Sequence, residues 1–310
     1  MNKADLSLIS RDSMKRDLFY ISRDPFSFRA VNYTAPFHAK CSLDELDDWL
    51  VEQIQACGVK AVKKPNRVQC FHCTFDPNVK RCYWHGTPRE DDPWYDAANV
   101  VAELPGSEHP EEIIYLLSHK DSQSWINGPG AIDNGSGTVA NLEMIRALAR
   151  LPRKRTVRVL FSNEEHWPWH SADEAQEAQA NGDKVIAVLN VDCISGVSDE
   201  DLAAGVKKMV CTYTAPEAKE LAAFIASMAD RYGIELDCTL ATKPSPNDDD
   251  GSFIKAGFLN TVMLEGTRPY EDSQYHLPGD IPERVNYDAL YNSVLTIFAA
   301  VRELDENGWK

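Results

Sequence analysis

The chain has 310 residues, enough for one large α/β domain or two small ones, and its 43% hydrophobic content can fill a sizeable core. Asp and Glu outnumber Lys and Arg by 48 to 32, a net charge of -16 that repels phosphate backbones and anionic lipid heads, so neither nucleic acid nor membrane partners are expected. The N-terminal stretch MNKADLSLISRDSMKRDLFY has no apolar core of signal-peptide length, which predicts a cytoplasmic protein whose eight cysteines are reduced thiols or metal ligands.

After a poorly patterned start, LDELDDWLVEQIQACG predicts an amphipathic helix closed by Gly58, with Leu46, Leu50 and Ile54 four apart on one face. Strand-like runs follow in the order RVQCFHCTF, ANVVAEL, EEIIYLLSH, TVRVLF, KVIAVLNVD, KKMVC and NTVML. Helical patterns lie between most of them, as in TVANLEMIRALAR and PEAKELAAFIASMADRYG. The last is YDALYNSVLTIFAAVREL, where Leu290, Val294, Ile297, Val301 and Leu304 recur three or four apart. Strands alternating with helices predict an α/β fold with a mostly parallel central sheet and helices on both faces. No repeat, low-complexity linker or composition break divides residues 1–310, so a single domain is expected.

Polar residues then fall at the strand ends. EEIIYLLSH finishes on His119, TVRVLFSN is followed by Glu164 and Glu165, and KVIAVLNVD finishes on Asp192. These are metal-type ligands at the carboxyl edge, where open α/β sheets bind ligands. Asp133 sits in the glycine-rich turn after the first of these strands, and His276 in SQYHLPGD after NTVML, so imidazoles and carboxylates can converge on one crevice. The turn lacks the Gly-Lys-Ser/Thr ending of a phosphate loop, which argues against a nucleotide. A separate group, Cys70, Cys73, Cys82 and His85, has the C-x2-C-x8-C-x2-H spacing of a structural zinc site. Against zinc there, no glycine follows the first pair, and strand alternation would point Cys70 and Cys73 to opposite faces, which favours reduced strand cysteines.

Over residues 98–304 six motifs resemble, in order, those of the M28 zinc aminopeptidases, metallopeptidases of the bacterial leucyl aminopeptidase and glutamate carboxypeptidase type. They are NVVAEL, LLSHKDS, PGAIDNGSGTVANLEMIRAL, FSNEEH, LNVD and YHLPGD. Residues 1–97 match only vaguely. The resemblance implies a zinc-exopeptidase fold of the phosphorylase/hydrolase-like kind, a peptide substrate, and two zinc ions for which cobalt or manganese could substitute. His119 and Asp192 would serve one ion, Glu165 and His276 the other, and Asp133 both. It further implies that Asp121 fixes the His119 imidazole, Glu164 is the general base, Tyr275 donates to the oxyanion, and the Asp133–Asn134 peptide bond is cis.

The expected reaction is removal of N-terminal residues from peptides. Carboxypeptidase-type cleavage is an alternative, as is cyclisation of the glutaminyl-cyclase kind, against whose single zinc the presence of His119 argues. A non-catalytic binding module is a third, against which the intact ligand set argues. Two departures touch the substrate side. DDDGSF puts Asp250 where the family has histidine, and HWPWH puts Trp167 and Trp169 where it has small residues, which makes all three candidates for the substrate pocket. Oligomeric state and side-chain preference are not implied.

Overall fold

The computed structural model describes residues 3–75, 83–267 and 271–309. Helix α1 (Arg11–Ile21) begins where the Ser10 side chain accepts the Ser13 N–H, and it buries Met14, Leu18 and Ile21. Helix α2 (Ser42–Ala56) buries Leu46, Leu50 and Ile54, as their four-residue spacing requires. Strand β1 (Lys60–Cys70) starts seven residues before the expected RVQCFHCTF, in polar sequence with no strand pattern of its own. Its register with the later strand 95–104, from Lys60 opposite Glu103 to Val68 opposite Tyr95, is what makes it a strand. The expected run also breaks at Phe71, whose N–H donates to Ser124 Oγ at 3.0 Å. A separate hairpin of β2 (His72–Phe75) and β3 (Tyr83–Gly86) follows.

The remaining elements are β4 (Tyr95–Leu104), β5 (His109–His119), α3 (Gly137–Leu148), β6 (Arg155–Ser162), β7 (His166–Trp167), α4 (Ser171–Asn181) and β8 (Lys184–Val191). After them come α5 (Asp199–Ala203), β9 (Lys208–Tyr213), α6 (Lys219–Tyr232), β10 (Asp237–Thr242), α7 (Asp248–Lys255), β11 (Thr261–Glu265) and α8 (Tyr287–Asn307). Among the described residues, nine strands form one sheet in the order β10, β9, β11, β8, β5, β6, β4, β1, β7. The middle four, β11, β8, β5 and β6, run parallel. Antiparallel neighbours β9 and β4 flank this parallel centre.

Parallel central strands are covered on both faces, and β5 shows it: every residue from Ile113 to His119 is buried. Ile114 and Leu116 join the larger core with residues of α1, α2, α3, α6 and α8, while Ile113, Tyr115 and Leu117 join a smaller one with Ala175 and Ala178 of α4 and Phe253 of α7. Leu290, Val294, Ile297, Val301 and Leu304 of α8 are all fully buried. Helix α4, SADEAQEAQAN, buries Ala175 and Ala178 beside Ser171 and Glu174 and has no larger apolar residue, which is why no helical stripe marks it in the sequence. Residues before 98 share the same core through Met14, Leu18, Leu46 and Val68. Among the described residues no helix is long and apolar enough to cross a membrane.

Candidate active site

The parallel centre brings the carboxyl ends of β5, β6, β8 and β11 to one edge. His119 ends β5, Glu164 and Glu165 follow β6, and Asp192 follows β8. Asp133 lies in the turn Ala131–Ser136 that opens α3, and His276 lies beyond β11 with a left-handed φ of 59°. Close approach explains the glycines around Asp133. A Cβ on Gly130, where φ is 54°, would collide with the Asp133 carbonyl oxygen, and one on Gly137 with that of Val191. The Asp133–Asn134 peptide bond is cis.

The side chains meet as follows. Asp133 Oδ1 is 3.0 Å from His119 Nε2, and Asp133 Oδ2 is 3.0 Å from His276 Nε2. Each imidazole has a second carboxylate: Asp192 Oδ1 at 3.5 Å from His119, and Glu165 Oε1 at 3.2 Å from His276. Metal–ligand bonds of about 2.0–2.1 Å in a tetrahedron give ligand–ligand edges of about 3.3 Å, close to each of these imidazole–carboxylate separations, and among the described residues the donor atoms of His119, Asp133 and Glu165 all lie within 4.8 Å of one another. All five residues are at least nine-tenths buried. Buried carboxylates need cations. Burial opposes charge on His119 and His276, yet the carboxylates prevail and hold both pKa values up, at about 9 for His276. A divalent cation satisfies the same carboxylates with the imidazoles neutral, so the residues present fit a metal pair. Cys193, which the sequence reading did not single out, brings its Sγ within 4.8 Å of oxygens of Asp133 and Asp192, a third donor type beside that cluster. Its place directly after the strand-end Asp192 was the available signal.

Asp121 holds this cluster from behind. Its Oδ1 accepts from His119 Nδ1 (3.1 Å) and the Glu164 N–H (3.1 Å), and its Oδ2 from His166 Nδ1 (2.6 Å) and the Glu165 N–H (2.9 Å). The Val31 N–H donates to His166 Nε2 at 3.3 Å, which leaves the proton on Nδ1 facing Asp121. Asp280, the last residue of YHLPGD, accepts the N–H groups of Ile132 (2.8 Å) and Asp133 (3.0 Å) and so fixes the turn. Fully buried Arg29 donates to the carbonyls of Lys120, Ile21, Pro129 and Gly130. His166 and Arg29 were not foreseen: one adjoins the Glu-Glu motif, and the other lies in a segment with no recognisable pattern.

A cavity of about 500 Å³ opens beside the cluster and is lined by Glu164, Glu165, Asp133, Asp192, Tyr275 and His276, among others. Glu164 Oε2 accepts the Asp249 N–H at 2.9 Å. Burial, and then the charges of Asp248 and Asp249, push the Glu164 carboxyl well above its ordinary range. The Tyr275 ring stacks on His276 at 3.7 Å, and burial likewise raises its phenol.

The model of peptidase family M28 matches residues 99–301. The chain belongs to that family. A leucine aminopeptidase 1 of Sclerotinia sclerotiorum is 28% identical over 224 residues, covering 66% of this chain and 55% of the relative, so the chain spans about half the length of that protein. In fold, the LapA aminopeptidase of Legionella pneumophila superposes with a TM-score of 0.74 at 17% identity over 98% of this chain and 74% of that one. A glutaminyl cyclase of Porphyromonas gingivalis superposes at 0.69 and 18% identity over 96% and 99%.

The substrate side of this M28 chain differs from expectation in two places. Trp169 lines the cavity and donates Nε1–H to the Glu164 carbonyl at 2.8 Å. Trp167, 40% exposed, lies outside it, because pairing of β7 with β1 carries it to the outer surface. Asp250 is not at the rim either: it is buried behind the wall, its Oδ1 bonded to Lys243 Nζ at 2.9 Å, and Asp248 stands on the cavity surface in its stead. Of the possible third zinc site, Cys82 lies outside the described residues. Cys70 ends β1 of the large sheet, whereas Cys73 lies in the β2–β3 hairpin. His85 faces the main cavity, 6.2 Å from His276 between ring centroids.

Proposed function

We propose that this chain is a co-catalytic dizinc exopeptidase that removes N-terminal residues from peptides. The division of Asp133 between two imidazoles, each with a carboxylate of its own, carries the proposal. Two zinc-class ions, one held by His119 and Asp192 and the other by Glu165 and His276 with Asp133 shared, would supply Lewis acidity for the scissile carbonyl and a lowered pKa for an attacking water. Glu164 accepts the water's proton and passes it to the leaving amine. Its hydrogen bond from Asp249 holds the side chain in place, and its raised pKa suits a group that must take up and give back a proton. Tyr275, kept protonated by burial, donates its hydroxyl to the developing oxyanion. Asp121 keeps the His119 Nδ1–H directed away from the metal-facing Nε2.

Metal analysis beside a panel of aminoacyl, N-blocked and C-terminal substrates tests this reading. The expected outcome is two zinc-class ions per chain and hydrolysis of free-amino substrates alone. A single tightly bound ion at full activity would refute the two-metal arrangement. Ammonia released from an N-terminal glutamine, with no amino acid set free, would replace peptide hydrolysis by the cyclisation for which the P. gingivalis neighbour is named.

A further inference from the structure

The cavity has a second wall, away from the metal-type ligands. Strands β9 and β11 are antiparallel neighbours, with Met263 opposite Thr212 and Glu265 opposite Val210. Alternation along β11 puts Met263 and Glu265 on one face, and both line the cavity with Thr212 and Lys243. Leu264 pairs with Val191, and its carbonyl accepts the Asp192 N–H at 2.9 Å, so Glu265 stands directly beside the Asp192 end of the cluster.

Glu265 is only 4% exposed. Its Oε2 accepts from Thr212 Oγ1 at 2.7 Å, and among the described residues its Oε1 has no hydrogen-bond partner. Lys243 is on the same wall but is already committed: Nζ donates to Asp248 Oδ2 (2.7 Å), Asp250 Oδ1 (2.9 Å) and the Asn247 carbonyl (3.0 Å), which uses its three protons. Asp248 and Glu265 on the wall, with Asp250 buried behind it, therefore outnumber the one ammonium, and the wall's unmet hydrogen-bonding capacity is that of an acceptor.

We propose that Glu265 makes this wall the subsite for a cationic N-terminal side chain, lysine or arginine; the proposal rests on the aminopeptidase reading. An acidic side chain is repelled by the surplus of carboxylates. An apolar one leaves Glu265 buried without a partner on Oε1, the loss by which a site built to bond a polar group rejects an analogue that lacks it. Met263 and Thr212 give the aliphatic stem of lysine or arginine a surface to lie along.

The zinc-loaded full chain is assayed on lysyl, arginyl, leucyl and glutamyl p-nitroanilides, with calorimetric titration of free L-lysine and L-leucine alongside. The expected result is a kcat/KM for lysyl and arginyl substrates at least about tenfold above leucyl, and a lysyl-to-leucyl ratio lowered about tenfold or more in Glu265→Gln, which keeps an acceptor for Thr212. A leucyl preference in the parent, or a ratio unchanged in the variant, overturns the proposal and leaves the aminopeptidase reading standing. If no anilide is cleaved, that reading fails and the titrations decide the subsite. Lysine binding at least about tenfold tighter than leucine, with the difference lost in Glu265→Gln, upholds it. Equal binding overturns it.

Discussion

Replacing Asp121 by Asn changes one atom and leaves the volume of the side chain, so its effect isolates the hydrogen bonding. The carboxylate accepts four donors, two on each oxygen: His119 Nδ1–H and the Glu164 N–H on Oδ1, His166 Nδ1–H and the Glu165 N–H on Oδ2. Asparagine offers one oxygen and one NH2, so in either orientation two donors face a donor. Hydrogen bonds to a charged group contribute about 1.5–3 kcal/mol each, which puts the loss at about 3–6 kcal/mol. That is a large share of the ordinary stability of about 5–15 kcal/mol. With an unfolding entropy of about 2.1 cal/mol/K per residue over 310 residues, the thermal midpoint of the metal-free protein should fall by about 5–9 °C. The donors at risk belong to both proposed metal sites, through His119 on one side and the Glu165 backbone on the other. Affinity for both ions should therefore fall, each by about 10- to 100-fold. Scanning calorimetry without metal and a zinc titration against a competing chelator measure the two effects. A midpoint within about 2 °C of the parent, with both affinities unchanged, would refute the claim that Asp121 organises the cluster.

Glu164→Gln should lower activity by about 10² to 10⁴ while metal content stays near that of the parent. Glu165→Gln should lose one ion and recover part of its rate in excess zinc; the opposite pattern would exchange the two roles. Arg29→Met leaves four buried carbonyl oxygens without their donor and should destabilise the fold by at least about 3 kcal/mol in denaturant titrations. An unchanged midpoint would show that water or a backbone shift replaces the guanidinium at no cost. Free zinc at about a thousand times its Kd should stabilise the protein by about 4 kcal/mol over the chelated form, and a melting curve indifferent to chelator would count against metal at the buried cluster.

The strand ends were written in local pattern. EEIIYLLSH, TVRVLFSN and KVIAVLNVD are apolar enough to be parallel strands buried on both faces, and such strands share one carboxyl edge, which assigns His119, Glu165 and Asp192 to that edge; that β8, β5 and β6 are neighbours is what brings the three together. The glycines about Asp133 and the stripe of α8 were equally local facts. What the linear pattern could not contain were contacts made by residues of ordinary type at a distance. Arg29 is one arginine among many until four carbonyls from three segments surround it, and β1 is polar sequence until β4 pairs with it. The substrate side was decided in the same way. Trp167 and Trp169 are two residues apart, yet pairing of β7 with β1 sends one to the surface and leaves the other at the cavity. Asp248 and Asp250 share a helical turn, yet only Asp248 reaches the cavity surface, while Asp250 lies buried against Lys243. Glu265 is merely the last residue of a strand until β9 sets Thr212 against it. Local periodicity determines which face of an element is buried, whereas the neighbours that close a pocket are supplied by strand order and register, which no short stretch of sequence specifies.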